Sequence, residues 1–156
     1  MTPLDLLESL KEYIQVKTKD MQLLARVPED GKESARRPPK VFKGNLPEKE
    51  DKKKAAPYIL LKLLTTKSDE EERKAMVRII VVTYSEDKEE NYIQCLNVLS
   101  RLEKDLLEDV VIADRYLCQK PIETIMYDED LEVYQIGEMM TTWELPPIQR
   151  NVRQYL

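Results

Sequence analysis

The chain has 156 residues, of which 42% are hydrophobic and 35% charged, with a formal net charge of −5 and no histidine. That length fits a single domain, residues 1–156, able to bury about two-thirds of its unfolded surface without a disulfide or a metal. The acidic balance excludes a general nucleic-acid binder, and the lack of histidine removes the commonest general base and metal ligand.

The N-terminal segment MTPLDLLESLKEY is interrupted by Asp5 and Glu8 and does not read as a secretory signal. No stretch approaches the ~20 apolar residues that span a bilayer. The expectation is a soluble protein made in the cytoplasm, with no membrane partner. Residues 3–17 read as a helix, with Thr2 as N-cap, Pro3 at the first helical position and Asp5 in the first turn. Leu4, Leu7, Leu10 and Ile14 form its apolar stripe, widened by Leu6 and Tyr13.

Met21 to Val27 reads as a short strand. A long polar loop or arm follows over about 28–56, punctuated by prolines and with Lys40 to Asn45 as a short edge strand inside it. Lys32, Arg36, Arg37, Lys40 and Lys43 against Glu33 give residues 32–43 a net charge of +4, leaving −9 for the rest. This basic stretch reads either as a solvated loop or as a docking arm for an acidic surface on a neighbouring copy.

Tyr58 to Thr66 and Ala75 to Tyr84 are β-branched and apolar, and read as an antiparallel hairpin. The charged turn between them, 67–74, contains Glu70 and Glu71. Ser85 or Asp87 caps a long helix over about 89–108, whose buried face is marked by Tyr92, Cys95, Leu96, Leu99, Leu102 and Leu106. Val110 to Ile112 reads as a short strand or helix exit; 115–126 is ambiguous, with Cys118 in a loop and Ile122, Ile125 and Met126 suggesting a partly buried strand; and 132–145 reads as the last strand. Within that strand the apolar parity changes at Gly137, the pattern of a β-bulge. Pro146 and Pro147 end it, and a short C-terminal arm, 146–156, carries Ile148, Arg150, Val152 and Tyr155. The fold class is therefore α+β: a mainly antiparallel sheet packed by an N-terminal helix and one long helix.

No catalytic group is predicted. The acid runs 70–72 and 128–130 sit in turns, where water surrounds them and leaves no cause for a shifted pKa. They also lack the spacing and glycine of a calcium loop. Cys95 and Cys118 have no histidine to activate them, and read as buried thiols. The three glycines, Gly31, Gly44 and Gly137, are too scattered to cradle a phosphate. No cofactor and no metal are expected.

Three segments carry a resemblance: Pro57, Tyr58 and Ile59 after the polar loop; Val82 to Asp87 leading into Asn97 to Leu102 on a helix; and Gly137 to Pro146, GEMMTTWELP. Together these resemble the tail-terminator (tail-completion or neck) proteins of tailed phages, over roughly residues 55–150. The resemblance implies an α+β subunit that forms a homohexameric ring on the head-proximal end of the tail tube. That ring ends tube polymerisation and joins the tail to the head–tail connector or neck protein. It implies as partners the tail tube protein and, in contractile tails, the sheath, with DNA passing through the lumen unbound. The location it implies is the virion, assembled in the host cytoplasm. The contact residues expected on this reading are Arg36, Arg37, Lys40, Lys43, Glu70, Glu71, Ile148, Arg150, Val152 and Tyr155. Other neck or head-completion proteins, a non-phage protein-binding adaptor and, last, an enzyme are the alternatives.

Overall fold

A computed structural model describes residues 2–25, 35–46, 55–128 and 131–148. Helix α1 (Pro3–Thr18) opens with a capping box: the Thr2 hydroxyl accepts from the Asp5 amide at 3.2 Å, and the Asp5 carboxylate accepts from the Thr2 amide at 2.8 Å. Leu6, Leu7, Leu10, Ile14 and Thr18 are its buried face. Leu4, expected in that stripe, is 58% exposed, because the face that meets the sheet begins at Leu6.

Strands β1 (Leu23–Ala25) and β2 (Ala35–Arg37) form a small antiparallel ladder of their own. The main sheet has six strands, in the order β3-β4-β5-β8-β7-β6. They are β3 (Lys40–Lys43), β4 (Tyr58–Ser68), β5 (Arg73–Tyr84), β6 (Val111–Ile112), β7 (Tyr116–Met126) and β8 (Tyr134–Glu144). All neighbours are antiparallel except β3, which runs parallel to β4 through residues 58–61. The polar region thus contributes two strands. The hairpin strands also run further than their apolar cores, because Lys67 and Ser68 pair with Lys74 and Arg73. The charged turn shrinks to residues 69–72, where the Asp69 carboxylate accepts from the Glu71 and Glu72 amides at 2.9 and 2.7 Å.

Helix α2 (Lys88–Asp109) is capped by Asp87, which accepts from the Glu89 and Glu90 amides. Its buried face is Asn91, Cys95, Val98, Leu99, Leu102 and Leu106. Tyr92 lies off that face, at 45% exposure. A polar residue takes the first slot because both ends of the Asn91 amide are bonded: it donates to the Val133 carbonyl at 2.8 Å and accepts from Thr83 Oγ1 at 2.7 Å.

Both helices cover one face of the sheet. There the main core gathers Leu6, Leu10 and Ile14 of α1, Leu99 and Leu102 of α2, and Ile59, Leu61, Val77, Ile79, Met139 and Trp143 of the strands. The opposite face carries a second cluster at one end: Tyr58, Leu60 and Val82 with Ala55 and Ala56, and Phe42, Ile80, Tyr84, Tyr134 and Ile136 around them.

Strand β8 carries no bulge at Gly137. Its register with β5 is continuous from Lys74↔Glu144 to Tyr84↔Tyr134. The change of apolar parity arises because both faces are apolar there, Tyr134 and Ile136 facing the second cluster and Met139, Thr141 and Trp143 the helices. Gly137 has a packing reason instead. A Cβ there would collide with Leu99 Cδ1 and stand 3.0 Å from Cys95 Sγ. The bulges lie elsewhere, between Leu63 and Thr65 of β4 and between Gln119 and Glu123 of β7. Cys118 lies on β7, paired with Trp143, rather than in a loop.

The Trp143 indole is fully buried and its Nε1 donates to Thr141 Oγ1 at 2.8 Å. Trp143→Ala should therefore destabilise the subunit by about 3–5 kcal/mol, seen as a lower urea midpoint of the isolated chain.

Candidate functional site

The expected contact residues that lie among the described residues fall into two groups in space. The basic group is largely tied into its own chain. Arg37, half-buried on β2, donates from Nη1 to the carbonyls of Pro38 and Pro57 at 3.1 and 3.0 Å, and from Nη2 to that of Ala55 at 2.7 Å. It clamps the backbone that leads into β4. Arg36 donates to the Gln22 carbonyl at 3.3 Å and approaches Glu90 at 3.7 Å. Lys43 forms an ion pair with Glu8 of α1. Lys40 is exposed on β3, where its backbone amide donates to the Pro57 carbonyl at 3.2 Å. Gln94 adds a further tie, accepting from the Leu24 amide and donating to the Tyr84 carbonyl.

The second group is exposed and converges. Glu70 and Glu71 stand at the β4–β5 tip, and Ile148, 68% exposed, lies beside them after β8. The Leu145 amide donates to the Arg73 carbonyl at 2.8 Å and holds this exit segment against the hairpin. A groove of about 200 Å³ runs between them, lined by residues 68–73, Pro147 and Ile148. Arg150, Val152 and Tyr155 lie outside the described residues.

Two open sheet edges are further features that sequence reasoning missed. Strand β3 covers only the first four residues of β4, and β6 covers only Tyr116 and Leu117 of β7. Among the described residues, the outer edges of 62–68 and of 119–126 have no strand partner. Leu63, Leu64 and Ile125 on these edges are 38%, 49% and 44% exposed. Strand β7 also carries Pro121 and its bulge, features that blunt an edge.

On the sheet face away from the helices, Arg78 forms a bidentate pair with Glu138, and Tyr127 donates its hydroxyl to the same carboxylate. Glu138 is 3% exposed, and Arg78 holds its carboxyl below the usual value, helped by the Tyr127 bond. The one signal in the sequence was an acid inside an apolar strand, GEMM. The thiols are buried: desolvation pushes Cys95 up to about 12 and Cys118 up to about 11, so neither is a nucleophile near neutrality. Among the described residues there is no group of three or more acids and cysteines placed to hold a metal ion. Among them, too, no helix is long and apolar enough to cross a membrane.

Two predictions separate structural from partner roles. Arg37→Ala should leave buried carbonyls unpaired and lower stability by about 1–3 kcal/mol, measured on the isolated chain by urea denaturation. Because Glu138 titrates lower in the folded state than in the unfolded one, its contribution is full above the ordinary value of 4.5 and is lost as pH falls through the depressed folded value. Glu138→Gln should accordingly be less stable than wild type at neutral pH, and the gap should narrow as pH drops below about 4.5, read from urea midpoints across that range.

No family model matches this chain, and no curated protein matches it.

Proposed function

We propose that this chain is a structural subunit that works by assembling with copies of itself. In this reading it forms a homohexameric ring of tail-terminator type that caps the head-proximal end of a phage tail tube and joins the tail to the neck. The reading rests on the sequence resemblance over residues 55–150. The observation that carries it further is the projecting end of the sheet. Residues 63–72 are all exposed, and the exposed Ile148 lies against their tip. A folded body with a charged projection and an apolar residue at its side has the form that ring and stacking contacts need. The inward use of Arg37, Arg36 and Lys43 moves the expected contacts from the basic stretch to this tip.

The test is assembly of the tail tube protein from the same genome with and without this chain. Capping predicts shorter tubes bearing a ring at one end in electron micrographs. Glu70→Lys with Glu71→Lys should abolish capping while leaving the melting temperature unchanged. Tubes that elongate as before, with the chain remaining unbound, would overturn the reading.

A further inference from the structure

We infer that copies of this chain join edge to edge, the open edge of β4 on one copy pairing with the open edge of β7 on the next, to make one continuous sheet. This inference rests on the ring reading above and specifies its contact. The strand directions permit it. β4, β5, β8 and β7 alternate in direction, so β4 meets the β7 of an identically oriented neighbour antiparallel.

The faces then restrict the register to steps of two residues. Thr66 shares its row with Ala75 and Trp143, and Thr124 shares its row with Met139, so both lie on the helix side of the sheet. Thr65, Lys67, Glu123 and Ile125 lie on the other side by alternation. Among the face-matched registers, one sets Lys67 opposite Glu123, Thr66 opposite Thr124 and Thr65 opposite Ile125. All six are exposed. An opposite-charge pair, a hydroxyl pair and a β-branched pair are the cross-strand combinations that stabilise a ladder, and a one-residue slip would lose all three.

The same register clears the obstacles at each edge. Lys67 lies in the row of Lys74, and Glu123 in the row of Met140 and Arg78, so neighbouring copies are offset by four residues along the strands. That is about 13 Å at ~3.3 Å per residue. With this offset the neighbour's Met126 reaches only the exposed Leu63 and Leu64, short of the rows that β3 occupies. At the other end, the neighbour's Pro121 and β6 fall beyond Ser68, where no ladder bond is required of them. A constant offset of one sense between successive copies is also the stagger that a closed sheet demands.

The experiment uses the full chain. Lys67→Glu and Glu123→Lys, made singly, place like charges opposite each other and should weaken each interface about fivefold, read as loss of rings in mass photometry. The double reversal should restore them. An oxidised chain carrying Thr66→Cys and Thr124→Cys should give an inter-subunit disulfide ladder, and one carrying Thr65→Cys and Thr124→Cys, with thiols on opposite faces, should not. Unchanged melting temperatures establish that each variant is folded. Rings that are indifferent to both charge reversals and give no Thr66–Thr124 cross-link would overturn the edge pairing and leave the ring reading standing. A chain that stays monomeric at millimolar concentration and on added tubes, with no cross-link, would overturn both.

Discussion

The architecture depends on how closely α2 lies on β8. At Gly137 the helix leaves no room for a side chain, since Leu99, Cys95 and Met126 crowd the position a Cβ would occupy. That contact fixes which residues of the central strands face the helices. Met139, Thr141 and Trp143 follow on the same side, and the Thr141 hydroxyl satisfies both the Val77 carbonyl and the indole. One residue from the glycine, Glu138 points the other way and closes on Arg78 and Tyr127. The two sides of the sheet are both apolar at this level, so hydrophobicity alone would not choose between registers. A missing side chain on one side and a buried carboxylate on the other make the choice.

Much of this was legible from local chemistry. Thr2, Pro3 and Asp5 mark a helix start because each satisfies or accommodates an amide that the helix leaves unbonded. The β-branched run 75–84 and the leucine spacing of α2 state their elements with equal clarity. What escaped was everything set by distant pairing. The parallel partner of Lys40–Lys43 is a strand that starts some fifteen residues later, beyond a polar segment with no periodicity of its own. The exposure of Leu4 and Tyr92 depends on where the sheet ends under each helix, which spacing within the helix does not report. The parity change at Gly137 has the pattern of a bulge, and only the folded sheet, with its second apolar face, accounts for it without one.

The basic stretch shows the same limit from the functional side. Five cations within twelve residues read as a surface for a partner. In the fold, Glu8, Glu90 and four backbone carbonyls take up most of that capacity, at separations of 14 to 54 residues for all but the Pro38 carbonyl. The features left facing outward, a short acidic tip and two bare strand edges, carry no motif. An edge is a property of a sheet, and strand identity alone does not reveal which strands end up outermost.

Strand β8 is the last element among the described residues, yet it sits third from one edge of the sheet and separates β5 from β7. On a ribosome the β4–β5 hairpin and α2 would emerge long before the segment that joins them to β7. Until then the edge of β5 away from β4 would stay unmated beside Val77, Ile79 and Val81, a surface prone to wrong partners. The sheet therefore becomes continuous only once β8 has followed every strand it joins, and a break in the chain before Tyr134 would remove the centre of the sheet, not its margin.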